Sequence, residues 1–288
     1  MKKNRNNREN SVRTKLRSNS THAYKDFGQN FLHDKILAQY MVDSLEIKPA
    51  DFVIEIGPGM GALTELIIKN EQLSKSSEAS AQEEIKNKNE KPKFLGVEID
   101  LEKIIYLKQT FPDIDIWNGS VLDFNVEEQL AKNNIEDYKI IGSLPFNISK
   151  KIIQNFSECE KRPSKAVFMV QKEVGDNYAP EKKDGTTFLS IYISEFWEII
   201  DKKLIPRESF YPIPKVHGLV LVMTPRFEPD YKFIKFAKIG FSRPRKKLGN
   251  IIQLNPEDKF YNKRPHELTI SEWKELYSIK NNELMIEN

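Results

Sequence analysis

The chain has 288 residues, of which 39% are hydrophobic and 30% charged, with a net charge of +3. That is enough apolar material for a sizeable core, in a length that suits about two domains. A single cysteine, Cys159, excludes a disulfide framework and any cysteine-built metal site, and no stretch approaches the roughly 18 apolar residues of a membrane span or the core of a signal peptide, so a cytoplasmic, non-secreted protein is expected.

Residues 1–25 carry eight Lys and Arg against one acid, while the remaining residues carry 37 bases against 41 acids. The arm lacks the apolar residues to fold alone and reads as disordered, either a flexible arm for nucleic-acid phosphates or a solvated tail. Ile36, Leu37, Tyr40, Met41 and Leu45 then recur at helical spacing, giving a helix over 33–46. Phe52–Ile56 is a continuous apolar run that ends in glycines, as a buried parallel strand does, and 60–69 reads as a helix. Residues 70–93 hold five acids against five bases and few apolar positions, which marks a solvated insertion. Strands follow at Phe94–Ile99, Ile114–Trp117, Tyr138–Ile141 and Ala166–Val170, with helices between them, including 101–110 and 148–156. This alternation predicts an α/β fold, a parallel sheet covered by helices on both faces. Phe188–Phe196 is helical in pattern, and Trp197–Ile205 with Gly218–Met223 reads as a closing antiparallel pair. After Pro225 the apolar runs shorten and the sequence reads as short helices. A small α-helical domain is expected over 226–288, following a main domain over 26–225.

Chemistry concentrates in Glu55-Ile-Gly-Pro-Gly-Met-Gly61, which follows a strand and opens a helix. Three glycines let the backbone turn sharply and approach a ligand. Pro58 removes an amide donor there, which argues against a phosphate cradle. An acid closing the next strand suits ribose hydroxyls, and Glu98 reaches the customary spacing of about 20 residues once the 70–93 insertion is set aside. The order strand, glycine loop, helix, strand, acid favours nucleoside binding. Near the C-terminus, Arg243, Arg245, Lys246 and Lys247 form a second basic cluster without a nearby acid, a candidate RNA-binding segment. The four histidines are scattered without metal-ligand spacing, so no metal is expected. Cys159 sits among acids, which disfavour a reactive thiolate.

Four further segments complete a pattern: Phe27-Gly-Gln-Asn-Phe-Leu32, Ser143-Leu-Pro-Phe-Asn-Ile-Ser149, Phe168-Met-Val-Gln-Lys-Glu173 and Phe210-Tyr-Pro-Ile-Pro-Lys-Val216. Together with the glycine loop they resemble, over about 27–250 and in the same order, the ribosomal RNA small-subunit adenine N6,N6-dimethyltransferases. The resemblance implies a Rossmann-like S-adenosylmethionine (SAM)-dependent methyltransferase with a small helical C-terminal domain. It implies two methyl transfers to each of two adjacent adenines in the 3′-terminal hairpin of small-subunit rRNA, during ribosome biogenesis. On that basis Gln29, Asn30 and Leu32 close over SAM, Glu55, Gly57 and Gly59 lie beneath it, and Glu98 with Ile99 holds the ribose end. Ser120, Val121 and Ser143 complete the cofactor set. Ser143, Leu144, Pro145, Phe146 and Phe210 form the catalytic group, with Phe146 and Phe210 expected at the rim, on the two faces of the target base. The implied partner is small-subunit rRNA within a pre-ribosomal particle, met by a monomer without membrane contact.

Two positions depart from the family pattern. Ser120 stands where Asp is usual and Ser143 where Asn is usual; Lys215-Val-His217-Gly218 also differs from the usual Asp-Ser ending. A hydroxyl accepts a hydrogen bond worth about 1 kcal/mol against roughly 1.5–3 for a charged acceptor, so weaker SAM binding is expected. Two other readings share these features: a resistance-type methyltransferase of large-subunit rRNA, and a non-catalytic RNA-binding assembly or transcription factor that keeps the fold.

Overall fold

The computed structural model describes residues 31–49, 51–69, 93–180 and 185–286. The arm at 1–25, Gln29 and Asn30 lie outside the described residues, as does the insertion up to residue 92; Lys93, expected in the insertion, opens a strand instead.

The elements follow the predicted alternation. Strand β1 (Phe31–Leu32) precedes helix α1 (Lys35–Ser44), β2 (Phe52–Ile56), α2 (Ala62–Ile68), β3 (Lys93–Glu98), α3 (Leu101–Thr110) and β4 (Asp115–Asn118). Then come α4 (Val126–Asn133), β5 (Lys139–Ser143), α5 (Ser149–Glu158), β6 (Lys165–Gln171), α6 (Lys172–Tyr178) and α7 (Phe188–Phe196). The chain closes with β7 (Trp197–Ile205), β8 (Phe210–Tyr211), β9 (Gly218–Pro225), α8 (Tyr231–Gly240) and α9 (Ile270–Ile286). Side chains set several starts: Asp34, Asp100, Asn125 and Asp230 each accept amide hydrogens at a helix N-terminus, which satisfies donors that the first turn leaves open.

Seven strands form one sheet in the order β4-β3-β2-β5-β6-β9-β7. The first five are parallel to their neighbours, and β9 runs antiparallel to both β6 and β7. The expected antiparallel pair is present, with its later strand inside and β7 at the edge. Alternate residues of β2 face opposite sides: Phe52, Ile54 and Ile56 join a core with α4, α5, α6 and α7, whereas Val53 joins one with α1, α2 and α3. Both faces are therefore covered, as a continuous apolar strand requires.

A third apolar cluster lies beyond the sheet. Phe233, Ala237, Leu248, Phe260, Leu268, Trp273 and Leu276 pack together and onto Ile191 of α7. The expectation of short helices alone is corrected here, because α9 runs for 17 residues, anchored by Trp273 and Leu276 at 0% exposure. Among the described residues no helix is long and apolar enough to cross a membrane.

A candidate cofactor and base cleft

A cleft of about 180 Å³ opens at the C-terminal ends of β2, β3 and β5, where ligands collect in open α/β sheets. Its floor is the loop after β2. Gly57, Gly59 and Gly61 all take left-handed backbone angles, at φ 65°, 58° and 81°. The side of Gly57 where a Cβ would sit is open space, so a ligand can lie directly against the backbone there. Gly57 N–H donates to the Val97 carbonyl at 2.9 Å, which ties the loop to β3.

Two buried carboxyls face this loop and differ in their partners. Glu98, at the end of β3 and 4% exposed, accepts from the amides of Gly59 at 3.2 Å, Ile99 at 2.9 Å and Asp100 at 3.0 Å. Glu55, on β2 and 1% exposed, accepts from the Thr64 hydroxyl at 2.6 Å. Burial pushes its carboxyl up to about 8; the Thr64 hydrogen bond opposes this rise and the nearby Glu98 charge adds to it.

The opposite wall is the turn between β5 and α5. Ser143 ends β5, and the Leu144 amide donates to the Met169 carbonyl of β6 at 3.0 Å, which holds the start of the turn against the sheet. The Ile148 amide then donates to the Pro145 carbonyl at 3.2 Å and the Ser149 hydroxyl to the Phe146 carbonyl at 3.4 Å, folding the turn into α5. Phe146 is half-buried beside the cleft. A third wall joins two distant segments: β1 and β8 pair antiparallel, with Leu32 opposite Phe210, and His33 N–H donates to the Ser209 carbonyl at 3.0 Å.

Of the expected residues, Leu32, Glu55, Gly57, Gly59, Glu98, Ile99, Ser120, Val121, Ser143, Leu144, Pro145, Phe146 and Phe210 all line this one cleft. Ser120 uses its hydroxyl to accept from the Leu122 amide at 3.2 Å, capping a short 3-10 turn. Phe210 requires a correction. A rim position was expected, but the side chain is 1% exposed within the core beneath α1. It still lines the cleft, and the exposed apolar side chains of that loop are Tyr211, Ile213 and Val216. Arg243, Arg245, Lys246 and Lys247 are exposed on the helical module and are not among the residues that line the cleft.

Sequence reasoning missed Thr64 and Lys103. Lys103 lines the cleft at 5% exposure and pairs with Asp100 at 3.1 Å; nothing in a helical Lys marks it for burial. The Cys159 thiol is pushed up to about 11 chiefly by burial, with Glu127 adding to the rise, so the adjacent acids seen in the sequence are not the leading cause.

A glycine loop, an acid on the neighbouring strand and an aromatic turn after β5 define a Rossmann-like methyltransferase. Two solved structures share the fold: a dimethyladenosine transferase from Plasmodium falciparum (TM-score 0.67, 19% identity, 88% of this chain and 98% of that one) and the 23S rRNA methyltransferase ErmE (TM-score 0.59, 18% identity, 86% and 98%). The family model for ribosomal RNA adenine dimethylase matches residues 20–280, and the chain belongs to that enzyme family. It is 35% identical over 263 residues to the ribosomal RNA small subunit methyltransferase A of Hydrogenobaculum sp. (strain Y04AAS1), covering 88% of this chain and 92% of that protein. It is 30% identical to the protein of the same name from Geobacter metallireducens, covering 83% of each.

Proposed function

We propose that this enzyme transfers methyl groups from SAM to the N6 atoms of two adjacent adenines in the 3′-terminal hairpin of small-subunit rRNA. The observation that carries the reading is the convergence, on one cleft, of the open Gly57 backbone, the Glu98 carboxylate and the Ser143–Phe146 turn.

The cleft's chemistry fits the cofactor. An apolar lining with carboxyls at Glu55 and Glu98 suits a nucleoside that carries a cationic tail, and the Gly57 face admits it without a side chain to displace. Glu98 would accept from the ribose hydroxyls, Ile99 and Val121 would flank the adenine, Ser120 would accept from its amino group, and Glu55 would face the ammonium. When bound, SAM supplies an electrophilic methyl group on a sulfonium.

The exocyclic nitrogen of the target adenine is a weak nucleophile, because its lone pair is delocalised into the ring. The Ser143 hydroxyl and the Leu144 carbonyl would accept its two N–H hydrogens and draw the lone pair out of conjugation. Pro145 stiffens the turn that holds both acceptors. Phe146 would stack on the extruded base, an interaction of about 1–3 kcal/mol, and Phe210 would close the far side from below. Alignment supplies the remainder, since holding nucleophile and methyl group in line removes much of the entropic barrier. Gln29 and Asn30 complete the cofactor set in this reading.

The same proposal takes residues 26–225 as the catalytic domain and 226–288 as an RNA-binding domain, with Arg243, Arg245, Lys246 and Lys247 on phosphates. It takes the substrate as a pre-ribosomal particle in the cytoplasm, and the enzyme as a monomer. The relatives named above favour the small subunit over the large-subunit reading that ErmE represents. Undermethylated small and large subunits, each incubated with radiolabelled SAM, decide between them. Label is expected on small-subunit rRNA; label confined to large-subunit rRNA, or label on neither, overturns the proposal.

A further inference from the structure

The connection between sheet and helical module carries more hydrogen bonds than a tether needs. It spans residues 226–230, between the end of β9 and the start of α8. Arg162, in the loop before β6, donates from Nη2 to the carbonyls of Arg226 at 2.8 Å and Phe227 at 3.1 Å. Its Nη1 donates to the Ser157 carbonyl at 3.2 Å, and the guanidinium lies 5.7 Å from the Phe196 ring centre. The Arg226 amide donates to the Phe196 carbonyl at 2.7 Å. Glu195 is 5% exposed; its Oε2 accepts from the Asp230 amide at 3.1 Å, and its Oε1 pairs with Lys274 of α9 at 2.8 Å. Two residues of the catalytic domain thus fix both ends of the connection and one helix of the module beyond it.

The position of this joint matters because of where α8 then goes. Trp197 pairs with Pro225, so the joint lies at the end of the sheet opposite the cleft. Tyr231, at the start of α8, sits 6.0 Å from Phe196 at the end of α7, while Phe241, just past the end of α8, sits 6.5 Å from Phe188 at the start of α7. Helix α8 therefore climbs back antiparallel along α7, toward the cleft end, and delivers the Arg243–Lys247 loop there. At 1.5 Å per residue, α8 is a lever of about 15 Å, and a tilt of about 10° at its root moves the far end by roughly 3 Å.

We infer that Arg162 and Glu195 are positioning residues: by clamping the root of α8 they set the distance between the basic loop and the base cleft, and so determine which substrates can engage both at once. This rests on the functional reading above, in which the target base enters beside Phe146 while the loop grips phosphates elsewhere on the same particle. Two contacts held at a fixed separation grip one particle together, and that gain in affinity is lost where the geometry forbids both at once, so a fixed joint has a function that a flexible one cannot supply.

The test compares a long substrate with a short one. Arg162→Gln removes the fork that bridges the two carbonyls. A second variant, with Gly-Gly inserted between Phe227 and Glu228, loosens the root and leaves every side chain of the clamp in place. Each is assayed for S-adenosylhomocysteine binding, methyl transfer to undermethylated small subunits, and methyl transfer to an isolated 3′-terminal hairpin too short to reach the basic loop. The expected result in either folded variant is a roughly 10-fold rise in KM on small subunits, with kcat, hairpin turnover and S-adenosylhomocysteine affinity within twofold of the parent. Unchanged KM on small subunits, or an equal loss on both substrates, overturns the inference. A parent chain that binds S-adenosylhomocysteine but methylates neither substrate overturns the functional reading itself, and the inference with it.

Discussion

The two ends of the sheet are built by opposite rules. At the cleft end, strands stop in glycines and a proline-stiffened turn, the backbone at Gly57 is left open, and a carboxyl at Glu55 is buried beside a hydroxyl and a second carboxyl. At the other end, long side chains tie the loops down. Lys139 pairs with Asp51 at 2.8 Å, Lys165 with Glu46 at 2.8 Å, and Arg162 holds the connection to the helical module. One sheet thus carries two tasks: binding groups kept available at one end, and fixed geometry at the other. A change at the cleft end should alter ligand binding, chemistry or local strain, whereas a change at the far end should alter stability slightly or substrate reach, and leave the chemistry alone.

Glu55 offers the largest effect. Its carboxyl keeps its proton up to about pH 8 in the folded protein, against 4.5 for the free group, so the folded state binds more protons between those values. The contribution of Glu55 to stability is then fully present below pH 4.5 and is lost as pH rises toward 8, by up to about 1.4 kcal/mol per pH unit. Glu55→Gln should remove that contribution, so urea unfolding of the variant and the parent should diverge with rising pH in favour of the variant; parallel curves would show that Glu55 is already ionised.

Gly142 comes next. A Cβ there would lie 2.7 Å from the Ile56 carbonyl oxygen, which is backbone and cannot swing aside. Gly142→Ala should force β5 from β2 and lower unfolding free energy by roughly 2–4 kcal/mol, and a midpoint unchanged in denaturant would contradict the close approach. Phe146→Ala should slow methyl transfer by about 10- to 100-fold, the stacking energy of one base, with SAM affinity unaltered by calorimetry. Equal losses in rate and SAM affinity would instead make Phe146 a packing residue.

Smaller changes sharpen the contrast. Ser120→Asp should tighten SAM binding by up to about tenfold, because a charged acceptor replaces a neutral one; looser binding would place the adenine elsewhere. At the far end, Lys165→Met breaks a pair whose partner, Glu46, is 73% exposed, so a loss below about 1 kcal/mol is expected in thermal unfolding with kcat unchanged. A large drop in kcat would break the division between the two ends.

Local chemistry was legible in the sequence, and long-range placement was not. The run Phe52–Ile56 into the glycine loop announced both a buried strand and its ligand, and Glu98 emerged once the 70–93 insertion was set aside. The Ser143–Ser149 turn was readable because its Pro and aromatic residues are contiguous. Phe210 was misjudged because its surroundings come from elsewhere in the chain: Leu32 lies opposite it, and the Asp34–Ser209 contact beside them spans 175 residues. Burial of Lys103 was equally invisible, since the helix period does not say which loops will cover a first turn. The joint at Arg162 escaped notice because its acceptors are backbone carbonyls, 64 and 65 residues away, and carbonyls leave no trace in sequence. The length of α9 was underestimated because its apolar anchors are widely spaced among polar residues.

The central claim, that the cleft end performs N6 dimethylation with serine at position 143, is tested most directly by nucleoside analysis. Undermethylated small subunits are incubated with the enzyme and SAM, and the rRNA is digested and resolved by chromatography with mass detection. The account predicts N6,N6-dimethyladenosine at two residues per subunit, formed about 10- to 100-fold more slowly by the Phe146→Ala enzyme. N6-monomethyladenosine as the sole product, or unmodified adenosine throughout, would contradict it.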